Sequence, residues 1–306
     1  PPGHGACAGA RGSGERKGVK VSVITPSFNQ GRFIERTIHS VAMQDVPELE
    51  HVVMDGGSTD GTRAVLERFT ATVRWVSERD RGQTDALNKG IRATDGEILG
   101  WLNSDDVYYP GAIARVLQVF RAQPEVDVVY GMADHIDIDD RAFEAYPTEA
   151  WDLERLKETC FICQPALFLR RRVVEQHGLP DESLHYCMDY EYWLRLGKGG
   201  ARFHYLEEKL AGSRLYGENK TLGARVAVHR EINDMMKRHF GGVPDRWLFN
   251  YAHAVVEPRV DRARAPRRFV LCVMLHSVMA ALRWNRSVGP AMRRVLSQWG
   301  RDAYRL

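Results

Sequence analysis

The stretch Glu97-Ile98-Leu99-Gly100-Trp101-Leu102-Asn103-Ser104-Asp105-Asp106 joins an apolar run of strand length to two adjacent carboxylates. Like charges at a strand end repel each other and resist desolvation unless something positive lies beside them. An oxygen-rich acidic corner suits Mg²⁺ or Mn²⁺, ions that commonly carry a diphosphate. Alone, the pair is better read as a solvated loop with a helix N-cap just before Pro110. Its neighbours shift that balance.

Upstream, residues 19–25 are a short β-branched run and predict a buried strand. Residues 26–31 read as a loop, and 32–44 have helical spacing, with Phe33, Ile34, Ile38 and Val41 available for one face. A second strand at 51–54 ends at Asp55; a Gly-rich loop and a helix at 62–69 follow. A third strand at 73–77 precedes a helix at 83–92. The strand at 98–102 then leads through the acid pair to a helix at 110–121 and a strand at 126–130. Strands alternating with helices predict a doubly wound, mostly parallel sheet. Ligands of such sheets bind beyond the carboxyl ends of the strands. Those ends carry Thr25-Pro26-Ser27, Asp55, residues 78–81 and Asp105-Asp106, so polar groups from four segments converge on one edge. The first strand–helix turn holds a Pro and a Phe where a dinucleotide fold needs G-x-G-x-x-G, and no P-loop sequence is present.

The 306 residues are 44% hydrophobic and 27% charged, ordinary for one large domain with additions or for two domains. A net charge of only +3 gives no general case for nucleic acid as a partner. Five scattered cysteines argue against a disulfide framework and for a reducing compartment; Cys160 and Cys163 have C-x-x-C spacing but no second pair for zinc. Residues 1–18, rich in Gly, Ala and Arg without an apolar core, read as a disordered segment rather than a secretory signal. The tail is uneven in charge, with ten arginines between 259 and 301. Residues 226–240 predict a helix. The apolar run 269–282 is too short to span a bilayer, leaving a packing helix, a dimer contact or an interfacial helix. Its basic flanks, with Trp284 and Trp299, suit an anionic leaflet.

Four segments, in this order, resemble the N-terminal half of a glycosyltransferase family 2 enzyme: Thr25-Pro26-Ser27-Phe28-Asn29, Asp55-Gly56-Gly57-Ser58-Thr59-Asp60-Gly61-Thr62, Ala86-Leu87-Asn88-Lys89-Gly90 and Ser104-Asp105-Asp106. Met188-Asp189-Tyr190-Glu191-Tyr192-Trp193-Leu194-Arg195-Leu196 resembles that family's "ED" segment. The likeness covers residues 19–225. It implies a GT-A fold, an α/β architecture with a Rossmann-like, mostly parallel central sheet flanked by helices, here followed by a C-terminal helical extension at 226–306. It also implies transfer of a sugar, with inversion, from a UDP- or dTDP-sugar to an acceptor hydroxyl in polysaccharide, O-antigen or glycolipid synthesis.

By the same resemblance Asp106 binds Mn²⁺ or Mg²⁺, and Asp105 acts through water or touches the donor. Ser104 stands where the family's motif has its first Asp. Asp55 reads the donor base, with Thr25 and Ser27 lining the nucleoside pocket; by itself Asp55 also fits a turn former. Asp85, Asn88 and Lys89 fall on the donor side, with Arg81 or Lys89 available to neutralise phosphate, although a solvated surface charge fits either equally well. Asp189 is the expected catalytic base, although Met188 replaces the preceding Glu and a helix first-turn role fits it as well. Glu191 is the fallback. Gln164 is expected to meet the acceptor, and Lys220 the diphosphate, in a closing loop where Tyr216 replaces a frequent His. The implied partners are a nucleotide-sugar donor and a glycan or lipid-linked glycan acceptor; outside the resemblance, the apolar run 269–282 and its basic flanks leave an anionic membrane surface or a second copy of the chain as further partners. The implied place is the cytoplasm, peripherally at the inner face of the cell membrane. Two alternatives stand beside this reading. A nucleotidyltransferase on a related fold would need a basic Gly-rich loop that is missing. A non-catalytic sugar- or nucleotide-binding paralogue draws support from Met188 and Tyr216.

Overall fold

The computed structural model describes residues 18–217 and 223–305. The expected disordered segment, up to residue 17, and Lys220 lie outside the described residues. Strands β1 (Val21–Ser27), β2 (Leu49–Asp55), β3 (Arg74–Ser77) and β4 (Ile98–Trp101) form one parallel block in the order β3-β2-β1-β4. Helices α1 (Ile34–Ala42), α2 (Thr62–Arg68) and α3 (Gln83–Arg92) connect them. Every residue of β1 is buried, as expected of a central parallel strand covered on both faces. On one face, Ile34, Ile38, Val65 and Leu66 pack on Val53. On the other, Ala86, Leu87 and Ile91 of α3 pack on Ile24 and Val52. A Cβ at Gly90 would lie 2.3 Å from Ile24 Cγ2, so glycine is what lets α3 sit this close to β1.

Beyond β4 come β5 (Val107–Tyr108), α4 (Ala112–Ala122), β6 (Val128–Ile136), β7 (Ala142–Ala145), α5 (Leu153–Glu158), a 3₁₀ turn (Gln164–Ala166) and β8 (Leu167–Arg170). Then follow α6 (Arg171–His177), α7 (Met188–Lys198) and β9 (Phe203–Arg214). The described strands make one nine-stranded sheet ordered β3-β2-β1-β4-β8-β6-β9-β5, with β7 on β6. The parallel expectation holds for β1–β4 and for β6 beside β9. It fails at β8, which starts from the edge where β4 ends and runs antiparallel between β4 and β6. β9 gives no clear sequence signal: Glu207, Glu208 and Lys209 interrupt any alternation, and its register against β6 shifts there.

Among the described residues four helices close the chain: α8 (Arg225–Phe240), α9 (Asp245–Val256), α10 (Pro266–Asn285) and α11 (Pro290–Arg305). Val228, Ile232, Met235, Trp247 and Leu248 share one apolar cluster with Leu87, Tyr190 and Trp193, so α8 and α9 pack into the same core as α3 and α7. Among the described residues no helix is long and apolar enough to cross a membrane.

Candidate active site

The chain leaves the sheet after Trp101 and turns through residues 102–106. Thr37 on α1 fixes this turn, donating its hydroxyl to the carbonyls of Ser104 (3.0 Å) and Asp106 (2.8 Å). The Asp106 side chain is buried. Its Oδ1 accepts from the Arg214 backbone N–H at 2.8 Å and its Oδ2 from Asn103 Nδ2 at 3.3 Å. Asp105 Oδ2 accepts from the Tyr216 hydroxyl at 3.0 Å. The Arg214 guanidinium, wholly buried, donates to the Asp105 carbonyl (2.7 Å), the Asp137 carbonyl and the Asp140 carboxylate. Burial pushes the Asp105 carboxyl above the usual range, and pushes Asp106 well above it, with the neighbouring Asp105 charge adding to the effect. Two adjacent carboxyls, Asp106 buried and Asp105 half-buried, offer only oxygen donors and fit a hard divalent cation that keeps waters and takes its remaining ligands from a diphosphate.

Asn103 is the hub of this corner. Its Oδ1 accepts from Gln83 Nε2 (2.7 Å) and Trp101 Nε1 (2.9 Å), while its Nδ2 also donates to Gln164 Oε1 (2.8 Å). Gln164 Nε2 in turn donates to the Trp101 carbonyl. Gln164 therefore lies on the cavity wall, as expected of an acceptor contact, but its amide braces Asn103 and the acid turn.

A cavity of about 970 Å³ opens at the carboxyl edge of β1–β4. Ser27, at the end of β1, lines it, and the Ser27 Oγ is buried without a hydrogen-bond partner among the described residues. Gly56 and Gly57 line it after β2. Gly57 has φ +81°, and a Cβ on Gly56 would lie 2.6 Å from Asp80 Oδ2, so side chains are excluded from this stretch of wall. Asp55 lies behind them, its carboxylate accepting from the Ser58 amide (3.0 Å) and from the hydroxyls of Ser58 (2.5 Å) and Ser77 (2.6 Å). Thr25 is also off the wall, 2.9 Å from His51 Nε2.

The three donor-side residues expected on α3 are not brought to the cavity. Gln83 and Ala86 line it, whereas Asp85, Asn88 and Lys89 take the far face of the same helix. Asp85 pairs with Arg81 (2.8 Å) and Lys89 (3.4 Å), and the Arg81 hydrogen bond holds its carboxyl down at about 2. Lys89 also pairs with Glu78 at 2.9 Å, and Asn88 donates to the Pro180 carbonyl and to Glu182, both at 3.0 Å. The cation brought to the wall here is Arg79, which makes no ion pair among the described residues. Sequence reading placed it within the strand-end segment 78–81 without singling it out.

The other wall holds Asp189, in the first turn of α7, with its Oδ1 accepting from the Tyr190 N–H at 2.7 Å. Glu191, the fallback base, is 1% exposed and locked to Arg195 at 2.7 Å. The loop that delivers Asp189 is tied down from α8. The Glu231 carboxylate accepts the backbone N–H groups of His185 (2.8 Å), Tyr186 (2.6 Å) and Cys187 (2.9 Å), the last being the residue that caps α7. Val228 and Ile232 of α8, Trp247 of α9, and His135 and Tyr146 complete this wall. None of these was singled out as a site residue from sequence, because each reaches the cavity from a distant segment.

A parallel strand–helix block carrying its cavity at the carboxyl edge, with an acid turn after the fourth strand, is the arrangement of GT-A-type transferases. Solved structures agree on the fold. TarS of S. aureus with UDP-GlcNAc superposes with a TM-score of 0.58 at 18% identity, covering 94% of this chain and 89% of that one. The mannosyltransferase PcManGT of Pyrobaculum calidifontis, with GDP-Man and Mn²⁺, gives 0.58 at 18% identity over 93% and 80%. The chain belongs to glycosyltransferase family 2: the profile "Glycosyl transferase family 2" matches residues 22–178. The putative teichuronic acid biosynthesis glycosyltransferase TuaG of Bacillus subtilis is 30% identical over 254 residues, 78% of this chain and 97% of TuaG. Other relatives are longer, and the chain spans 33% and 32% of two of them. The protein is accordingly a glycosyltransferase.

Proposed function

We propose that the protein moves a sugar from a nucleoside diphosphate-sugar, a uridine or thymidine donor, to a hydroxyl of a glycan or lipid-linked glycan, with inversion and with the help of Mn²⁺ or Mg²⁺. One observation carries this reading: the Asp105–Asp106 pair and Asp189 line a single cavity, although they come from separate parts of the chain. A volume of about 970 Å³ suits a nucleotide sugar together with part of an acceptor. Nucleotide sugars bound in two structural neighbours, one of them with Mn²⁺, support it.

Asp106 and Asp105 would hold the cation, which when bound offsets the negative charge growing on the leaving diphosphate. The unpartnered Ser27 Oγ and the side-chain-free wall at Gly56–Gly57 would receive the nucleoside, and Arg79 would face the phosphates. Asp55 shapes that pocket through Ser58 and Ser77. Asp85, Asn88 and Lys89 act at one remove, fixing Arg81 and the 180–182 loop. Asp189 takes the proton of the acceptor hydroxyl as that oxygen bonds to the anomeric carbon. The bond from that carbon to the β-phosphate oxygen breaks on the opposite face, and its electron pair leaves with the diphosphate.

A panel of UDP-, dTDP- and GDP-sugars, scored by thermal shift and by donor hydrolysis with and without Mn²⁺, tests the reading. A metal-dependent shift with a uridine or thymidine donor is expected. No shift with any donor, or turnover that survives Asp189→Asn undiminished, overturns it.

A further inference from the structure

The described residues expose nine large apolar side chains, and four of them lie on α10: Leu271 (57%), Leu275 (57%), Met279 (46%) and Leu282 (52%). Their spacings of four, four and three residues put them in one line, roughly 16 Å long at 1.5 Å per residue. The opposite side of α10 is also apolar, and it is buried: Phe269, Val273, Ala280, Ala281 and Trp284 pack against the neighbouring helices. One side of the helix therefore completes the protein core, and the other leaves a continuous apolar stripe in solvent. Contiguous exposed stripes, unlike single exposed leucines, mark a docking face.

Charge indicates the occupant. Arg267 and Arg268 stand exposed at one end of the stripe and Arg283 and Arg286 at the other. Between residues 259 and 305 the chain carries eleven arginines and two aspartates. A second copy docking through this stripe would meet itself across a two-fold axis, bringing arginines against arginines. An anionic headgroup layer offers the opposite: phosphates for the guanidiniums and a shallow apolar layer for the leucines.

We propose that α10 lies flat on an anionic lipid bilayer, with Leu271, Leu275, Met279 and Leu282 inserted and the flanking arginines on the headgroups. The stripe does not line the catalytic cavity, so this inference stands apart from the transfer chemistry. The test is co-sedimentation of the full chain with phosphatidylglycerol–phosphatidylcholine vesicles and with phosphatidylcholine vesicles alone. Binding only to the anionic vesicles, weakened by raised salt, is expected. Leu271→Ser with Leu275→Ser should reduce that binding at least about tenfold, and so should Arg267→Glu with Arg268→Glu. Being surface changes, both should leave the melting temperature unchanged. Failure of the wild type to bind anionic vesicles overturns the proposal, as does equal binding by the serine variant. A concentration-dependent dimer abolished by the serine variant overturns it in favour of a second copy.

Discussion

The donor edge and the wall that carries Asp189 are built by different means. The donor edge comes from β1–β4: β1, β2 and β3 each end in a polar residue and turn toward the next helix, and β4 leads into the acid turn, so its residues are close in sequence to the elements that position them. The Asp189 wall is assembled from residues 160–165, 185–190, α8 and α9, and its loop is anchored by Glu231 through three backbone N–H groups. The first is a local construction repeated along a sheet. The second exists only once the C-terminal helices have packed against α7. Binding chemistry should therefore survive damage to the second wall, and turnover should not.

The strongest test of that division is Asp189→Asn. It should lower kcat by about 10²–10⁴-fold, while the donor- and metal-dependent thermal shift stays at the wild-type value; loss of that shift would mean the two walls are not separable. Next is Asp106→Asn, expected to cost several kcal/mol of transition-state stabilisation, on the order of 10³-fold in kcat/KM. It should also remove the Mn²⁺ dependence of donor binding, as chelation should in the wild type. Glu231→Ala carries the comparison to the C-terminal helices. Loss of a charged acceptor for three backbone amides, two of them part-buried and one exposed, should destabilise the fold by about 1–3 kcal/mol, read by urea unfolding. It should lower kcat more than it raises the donor KM, and an unchanged kcat would show that α8 does not position Asp189.

The smallest effect belongs to the donor side. Burial lowers the pKa of His51, beside Thr25, to about 3 from an ordinary 6.5. The folded form keeps it neutral while the unfolded chain takes up a proton, so its contribution is intact above about pH 6.5 and declines as the pH falls toward 3. At pH 5 the loss is about 2 kcal/mol. His51→Gln should flatten the difference in urea stability between pH 7.5 and pH 5, and an identical slope in the two proteins would assign the effect elsewhere.

The parallel block was legible because its signals are local. The β-branched run at 19–25 became a strand covering Val21–Ser27, and the helix read at 83–92 is α3 itself. What that helix presents to the cavity was not legible. Gln83 and Ala86 share one face, and the roughly 100° step per residue turns Asp85, Asn88 and Lys89 away. A motif match supplies residues without saying which side of a helix is the inside. The antiparallel β8 and the irregular β9 were missed because neither carries an alternating pattern, and β9 supplies Arg214, whose backbone holds Asp106.

By itself the sequence determined the alternating strand–helix order, the sheet edge on which the polar ends collect, and the identity of the acid pair, since each of these depends on neighbours within a few residues. Only the tertiary structure decided that Arg79 rather than Arg81 or Lys89 faces the cavity, that Gln164 braces Asn103, and that Glu231 from the last third of the chain anchors the loop bearing Asp189. Those choices depend on which distant side chains and backbone amides meet when the helices pack, and no periodicity along the chain records that.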